Sequence, residues 1–519
     1  MKSRQCSRFL LAAWSMLALL QTEATVRADD APPNLLIIHT DEHNFRTLGC
    51  YRETLSTDQA LMWGDSVVET PNIDWIAHNG ALCTSFYATT PVCSPSRASF
   101  VSGRYPQNTP VVTNNIPLDD GVITFAEILR RQGYATGYSG KWHLDGGGKP
   151  QWGPERQFGF ADNTYMFNRG HWKQLEDTAD GPRVAARTDG KPTYSVQGAD
   201  EHSFTTDFLA DKTVAFIRAH RAEPFCYMVS IPDPHGPDTV RPPYDTMFDQ
   251  QSYTQPISAR KSADNLPSWG QMQQGGYNQS KYYGMVKCID DNVGKILGVL
   301  RSEDLLDKTI VVFTADHGDL RGEHGRHNKG VPYEGSAKIP LVIYYRDKIA
   351  AGTIINQALG CVDFLPTVLS LMNVPTAGQE EGRDASALFL AKPVDWNDIA
   401  FFRSTGDENG WLAAVTDRYK IIYSTSDDPW LFDLREDPNE LTNCYAQSAY
   451  RETVRELSTQ LARYGREYDD PRAANAYVQA DLQWAIEGTG PYVSPRPATN
   501  PGKSRPAKST RRKSRKKKP

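Results

Sequence analysis

Two stretches of this chain are apolar without alternation, and both run directly into acid. Asn34-Leu35-Leu36-Ile37-Ile38-His39-Thr40 leads into Asp41-Glu42, and Thr309-Ile310-Val311-Val312-Phe313-Thr314 leads into Asp316-His317. A strand that is apolar on both faces must be covered on both, which is the condition of strands in the middle of a parallel sheet. Such strands are joined by crossover helices. The sequence supplies them: Ile123 to Gln132, Phe204 to His220, Tyr282 to Leu300 and Val362 to Met372 carry apolar residues at helical spacing. Tyr134 to Ser139, Phe225 to Ile231 and Pro340 to Tyr345 read as further strands. The fold class expected is therefore α/β, with a large, mainly parallel sheet flanked by helices.

From about residue 395 the pattern changes. Ile399 to Phe402, Gly410 to Thr416, Tyr419 to Tyr423 and Trp430 to Asp433 are short strands at close spacing, and Tyr450 to Tyr464 is an amphipathic helix. They predict a smaller α+β subdomain with an antiparallel sheet over 391–484, after a larger domain over 29–390. Residues 144–202 and 232–277 show no sustained period and read as long surface excursions. Residues 485–519 turn to Gly, Pro, Ser and Lys and read as a disordered tail. The tail is strongly basic: residues 503–518 hold ten Lys and Arg and no acid. Without them 47 basic residues face 62 acidic ones, a balance of −15, so the body of the chain is no nucleic-acid binder. The tail itself is suited to contact with polyanions.

Lys2, Arg4 and Arg8 precede an apolar core from Phe9 to Leu20, and Val26-Arg27-Ala28 offers a small-residue cleavage site. Residues 1–28 read as a signal peptide, the alternative being an uncleaved anchor, and the expectation is an exported protein, periplasmic or secreted. No later segment is long and apolar enough to span a membrane. The eight cysteines show no CxxC or zinc spacing.

Ligands in open α/β sheets bind beyond the carboxyl ends of the strands, so the acids at the ends of the two apolar runs can meet there. Their oxygens suit Ca²⁺, or Mg²⁺ as second choice. Cys93-Ser94-Pro95-Ser96-Arg97 lies between them in sequence. Pro95 fits the first turn of a helix, Ser94 is able to cap it, and Cys93 then sits at a helix N-terminus that favours negative charge. The block resembles the sulfatase signature Cys-x-Pro-x-Arg, and Phe100-Val101-Ser102-Gly103 matches its extension. Gly133 to His143 resembles the second sulfatase signature. Pro232-Asp233-Pro234-His235 and the run from Thr314 to Gly335 follow in the order of the same family. The resemblance covers roughly residues 33–375.

That resemblance implies an alkaline-phosphatase-like fold and a sulfuric ester hydrolase. It implies that a formylglycine-generating enzyme oxidises Cys93 to formylglycine, whose hydrate attacks sulfur. Arg97 would orient that group. Lys141 and Lys329 would neutralise the sulfuryl oxygens, with Lys338 the competitor for the second lysine. His235 would protonate the leaving oxygen, and His143 would help release sulfate. The metal would be held by Asp41, Glu42, Cys93, Asp316 and His317. Two positions depart from many relatives: Glu42 stands in place of an aspartate and His317 in place of an asparagine. Glu42 is long enough to bind differently, and histidine is a poor ligand for Ca²⁺. A phosphonate or phosphodiester hydrolase on the same fold, or a catalytically dead glycan-binding protein, are the alternatives.

The carrier of the sulfate must be read from the periphery. The excursions supply Trp152, Phe158, Tyr165, Phe167, Arg169, His171, Trp172 and Tyr244 among many polar residues. Aromatic faces stack on sugar rings. A sulfated carbohydrate is therefore the expected substrate, with His171 and Trp172 as its contacts alongside Lys141, His235 and Lys329.

Overall fold

A computed structural model describes residues 32–260, 266–273 and 275–497. The first apolar run becomes β1 (Asn34–Asp41). Six further strands of its sheet lie on either side of the second run: β2 (Ala81–Cys83), β3 (Ala135–Lys141), β4 (Asp162–Phe167) and β5 (Phe225–Pro234) before it, β7 (Leu341–Tyr344) and β8 (Thr353–Ile355) after it, the second run itself being β6 (Thr309–Ala315). Their spatial order is β8-β2-β7-β6-β1-β5-β3-β4. β7 runs antiparallel to both of its neighbours, and every other pairing is parallel.

The period of two explains why β1 is apolar throughout. Leu35 and Ile37 join one buried cluster with Cys226, Met228, Ile310 and Val312. Leu36 and Ile38 join another, on the opposite face, with Tyr227, Val229, Val311 and Phe313. Helices α1 (Cys93–Ser102) and α4 (Phe364–Leu371) cover the first face through Phe100, Val101, Leu365 and Val368. Helices α2 (Thr205–Ala219) and α3 (Gln279–Ser302) cover the second through Leu209, Ile217, Ile289 and Ile296. Truncating one of these central side chains to alanine should cost about 2–5 kcal/mol.

The excursion at 144–202 is more ordered than its sequence suggests. It contains the edge strand β4 and two small hairpins, Leu175–Thr178 with Gly181–Val184 and Arg187–Thr188 with Lys191–Pro192. β4 escaped notice because its first residues, Asp162 to Tyr165, are polar or half-exposed, as an edge permits.

The smaller sheet runs β9 (Ala400–Arg403), β10 (Trp411–Val415), β11 (Tyr419–Ser424) and β12 (Trp430–Asp433) in sequence order, all antiparallel. α5 (Arg451–Glu467) and α6 (Ala476–Glu487) pack on one face through Leu457, Leu461 and Leu482. The reading of everything after residue 484 as structureless is corrected as far as residue 497. α6 runs to Glu487, Tyr492 packs on Trp484 with ring centroids 5.1 Å apart, and Arg496 pairs with buried Asp481 at 2.8 Å. Single specific contacts, not a hydrophobic period, hold that segment. The signal segment and the basic tail lie outside the described residues. Among the described residues all seven cysteines are buried and unpaired, and no helix is long and apolar enough to cross a membrane.

The other face of the small sheet, with Ala413, Val415, Ile422 and Phe432, meets Tyr87 and Tyr333 of the larger part. At that seam the Lys420 ammonium is wholly buried between Glu334 at 2.7 Å and Glu440 at 2.6 Å. Removing one partner from such a cluster leaves unpaired charge in a dry place. Lys420→Met should therefore destabilise the protein by about 3–5 kcal/mol, read from chemical denaturation. A change within about 0.5 kcal/mol would show that the seam does not depend on this lysine.

Candidate active site

β1 and β6 lie side by side with Thr40 opposite Ala315, and the chain is stitched together just beyond. The Asp316 N–H donates to the Thr40 carbonyl at 3.1 Å. The N–H groups of Glu42 and His317 both donate to Asp316 Oδ1, at 3.1 and 2.9 Å. Asp41 and Asp316 are thus fixed at one edge of the sheet, both buried.

α1 begins at Cys93, with extended Val92 as its cap and Pro95 in the first turn, where no N–H is needed. Ser94 does not cap the helix. Its hydroxyl donates to the His143 carbonyl at 2.8 Å, and its N–H donates to Asn114 Oδ1 at 3.0 Å. One turn on, Arg97 points back at the strand ends. Nε donates to Asp316 Oδ2 at 3.0 Å and Nη2 to Asp41 Oδ2 at 3.2 Å. Nη1 donates to the Lys141 carbonyl at 2.8 Å and to Ser230 Oγ at 2.7 Å.

Cys93 Sγ lies 3.2 Å from His317 Nε2, 3.6 Å from Lys141 Nζ and 3.8 Å from Asp41 Oδ1. Burial and the Asp41 carboxylate push its pKa up, but Lys141, Lys329 and His317 outweigh them and hold the thiol well below its usual value. Burial disfavours the His317 imidazolium, yet the Asp316 carboxylate wins and raises its pKa to about 9. Asp41 is likewise opposed by burial and held well below the usual carboxylate range by Lys141, His235 and Arg97. Asp41, Cys93, Asp316 and His317 offer ligand atoms all within 4.8 Å of one another, an arrangement able to hold a cation.

Glu42 departs from the metal set expected of it. Its backbone is left-handed, with φ of 62°, and its carboxylate is not part of the Asp41, Cys93, Asp316 and His317 group. Oε2 lies 2.9 Å from His235 Nε2 and 3.1 Å from Lys329 Nζ, while Oε1 is buried without a hydrogen-bond partner. Of the two candidate lysines, Lys329 lines the cavity, its Nζ 2.7 Å from His235 Nε2. Lys338 instead pairs with Glu334 at 3.0 Å. His324 stacks on Tyr333, and His327 lines a neighbouring cleft.

His235 follows β5, and a buried pair sets its turn. Lys173 Nζ binds Asp233 Oδ1 at 2.6 Å, and Thr206 donates to Asp233 Oδ2 at 2.9 Å. His171 stacks flat on His235 with centroids 3.5 Å apart, and its Nε2 is 2.8 Å from Lys141 Nζ. His143 reaches the same cavity by a turn rather than along an extended strand. β3 ends at Lys141, and His143 has φ of 64°. Its Nε2 lies 3.3 Å from Asn115 Oδ1.

These groups surround a cavity of about 250 Å³ lined by Cys93, Lys141, His143, His171, His235 and Lys329. Of the rest of its wall, sequence reasoning names Arg169 among the excursion residues but misses Asn114, Asn115, Lys149, Gly170 and Tyr194. The polar pair Asn114-Asn115, with Asn115 left-handed at φ of 69°, was the available signal for a shaped turn. Trp172 is corrected as a direct contact. It is 3% exposed, its Nε1 donates to the Arg169 carbonyl at 3.0 Å, and Tyr194 lies over it at 4.8 Å and faces the cavity in its place.

A cysteine at a helix start, two strand-end carboxylates and two lysines around one small cavity suit a hydrolase of anionic esters. The chain belongs to the sulfatase family and is a hydrolase of sulfate esters: the family pattern described as Sulfatase matches residues 33–374. A second pattern, N-sulphoglucosamine sulphohydrolase, C-terminal, matches residues 322–467. An ulvan-active sulfatase from Formosa agariphila is 27% identical over 505 residues, spanning 93% of this chain and 91% of that protein. An N-acetylglucosamine-6-O-sulfatase from Bacteroides thetaiotaomicron is 24% identical over 548 residues, spanning 89% and 91%. A solved structure in complex with its substrate D-glucosamine-2-N,6-O-disulfate has a TM-score of 0.67 at 22% identity, covering 85% of this chain and 99% of that one. A phosphonate monoester hydrolase of Agrobacterium radiobacter has a TM-score of 0.65 at 22% identity, covering 84% and 96%. At that identity the two structures share the fold.

Arg97 is the testable centre of this geometry. Lysine offers a point charge and cannot span two carboxylates, a carbonyl and a hydroxyl. Arg97→Lys should lower stability by about 3–5 kcal/mol in chemical denaturation, because it strands at least one buried carboxylate. A loss below about 0.5 kcal/mol would show that the strand ends hold without the fork.

Proposed function

We propose that this protein removes sulfate from a carbohydrate, with formylglycine formed from Cys93 as its nucleophile and a divalent cation at Asp41 and Asp316. The observation that carries the proposal is Cys93 Sγ at a helix start, within 4 Å of Lys141, His317 and Asp41. The carbohydrate assignment is supported by the ulvan-active and N-acetylglucosamine-6-O-sulfatase relatives.

The donor set fits a cation. Asp41 Oδ1 and Asp316 Oδ1 lie 3.7 and 3.5 Å from His317 Nε2, and Asp41 Oδ1 accepts nothing stronger than the 3.8 Å contact with Cys93. Carboxylate oxygens favour Ca²⁺, then Mg²⁺, with Asp41 and Asp316 as the firm ligands, His317 and the residue-93 side chain beside them, and Glu42 outside. When bound, such an ion supplies Lewis-acid stabilisation to sulfuryl oxygens. Formylglycine supplies a hydrated aldehyde whose second hydroxyl allows the sulfate to leave again, which a plain serine could not do.

The remaining residues divide the work. Lys141 and Lys329 face the place where the sulfate oxygens would lie and balance their charge. His235 presents Nε2, 2.9 Å from Glu42 Oε2 and 2.7 Å from Lys329 Nζ, as the proton donor to the leaving alkoxide. Its other nitrogen is occupied by the Gly236 carbonyl at 2.9 Å, which fixes the ring. His171 stacks on that ring and holds Lys141. His143, at the other side of Cys93, accepts a proton when sulfate is released. Maturation by a formylglycine-generating enzyme and export across a membrane complete the proposal.

Active protein should carry the lighter aldehyde at position 93 in peptide mass analysis, and Cys93→Ala should be folded and inactive. It should cleave sulfated mono- or oligosaccharides faster than simple aryl sulfates, and both faster than aryl phosphodiesters. Full activity with an unmodified thiol would end the formylglycine assignment. Faster phosphodiester cleavage would move the chain to the phosphonate-hydrolase chemistry.

Ca²⁺ at a hundredfold excess over its dissociation constant should stabilise the fold by about 2.7 kcal/mol, seen as a rise in Tm. Asp316→Ala should abolish that rise. An equal rise in the variant would place the ion elsewhere.

A further inference from the structure

The four cations of the cavity wall are not in the same electrical state. Lys141 is paired with the Asp41 carboxylate behind it, and Lys329 with Glu42 at 3.1 Å. Lys149 and Arg169 stand at the same cavity, and among the described residues neither forms an ion pair with a carboxylate. Among the described residues no acidic side chain lines the cavity. An exposed lysine is ordinarily just solvated, so the question is whether these two are held in place.

They are. Asn168, fully buried at the end of β4, ties the Gly146-Gly147-Gly148 loop to the strand. Its Nδ2 donates to the carbonyls of Asp145, Gly146 and Gly148 at 3.2, 3.0 and 3.1 Å, and its Oδ1 accepts from the Asp145 N–H at 3.0 Å. Its own N–H donates to the Pro150 carbonyl at 2.8 Å. The loop carrying Lys149 is therefore clasped against the residue that precedes Arg169. Arg169 Nη1 donates to the Gly147 carbonyl at 3.1 Å. Lys149 Nζ lies 4.7 Å from the Tyr194 ring centroid and 5.4 Å from that of buried Trp172, a cation–π seat that orders the ammonium without neutralising it.

We propose that Lys149 and Arg169 form a second anion subsite, binding a carboxylate or a further sulfate that the substrate carries beside the ester being cleaved. The inference rests on the sulfated-carbohydrate reading above and narrows it to polyanionic sugars. Arg169 supplies a planar fork for a carboxylate or sulfate, and Lys149 a point charge. The sugar ring would lie along Tyr194. Trp172 is then a positioning residue: it fixes the aromatic seat of Lys149 without reaching the ligand.

The test is binding to the full-length Cys93→Ala protein, followed by calorimetry. Three probes are compared: a monosulfated hexosamine, the same sugar with a second sulfate, and the monosulfated sugar linked to a uronic acid. One of the two doubly charged probes should bind about ten- to a hundredfold more tightly than the first, as expected for charged hydrogen bonds. Which one does so identifies the second group. The preference should shrink as salt is raised. It should disappear in the Lys149→Ala/Arg169→Ala protein. Lys149→Gln, which keeps the stem on Tyr194 and removes only the charge, should lose part of it. Indistinguishable affinities for the three probes, or a preference unchanged in the variants, would overturn the subsite. Failure of the unsubstituted protein to turn over any sulfated sugar would instead overturn the carbohydrate reading, with these affinities still readable.

Discussion

The site depends on one guanidinium. Arg97 is buried among two carboxylates, a carbonyl and a hydroxyl from β1, β3, β5 and the residue just past β6. Two carboxylates at adjacent strand ends would repel each other and lose their hydration. A planar cation that donates to both removes the conflict and converts the strand ends into a rigid platform. Because Arg97 lies one turn along α1, the same contacts fix where Cys93 sits. The position of Cys93 is thus a consequence of charge compensation at the sheet edge.

From that platform the charges are arranged in layers. Asp41 lies behind Lys141, and Glu42 behind Lys329 and His235. Each buried cation therefore has a carboxylate on its protein side and the cavity on its other side. At Lys329 burial opposes the charge, but the Glu42 carboxylate and the neighbouring anions outweigh it and raise the pKa, and the layering leaves one face of each cation for an incoming anion. Glu42 belongs to this second layer. Its carboxylate meets His235 Nε2 at 2.9 Å and Lys329 Nζ at 3.1 Å.

The outer wall follows a different rule. Lys149, Arg169 and Tyr194 come from the excursion between β3 and α2, where no hydrophobic period holds the chain. Order there comes from a buried asparagine amide that satisfies several loop carbonyls at once, and from Trp172 beneath Tyr194. Glycines at 146–148 let the loop close on that amide. Gly148, in particular, has Gln151 Oε1 where a side chain would stand.

Much of this was legible in the sequence. The unbroken apolar runs at 34–40 and 309–314 demanded a sheet covered on both faces, since no other fold buries both sides of a strand. The acids that end them, the Cys93 block, Lys141, His235 and Lys329 lay at positions where strand ends and helix starts must meet. What sequence could not decide was direction. Glu42 looked like a ligand because it follows Asp41, but a positive φ turns it toward His235. Trp172 looked like a sugar platform because it is aromatic and in a loop, but it is buried under Tyr194. Residues 485–497, with the last turn of α6, looked structureless because their anchoring rests on isolated contacts, such as Arg496 with Asp481. Periodicity and spacing are local properties of a chain, so the sequence determined which elements form and which chemistry-bearing residues they carry. Which way each side chain points, and which charge it meets, depends on partners far away in the chain, and only the tertiary structure decided that.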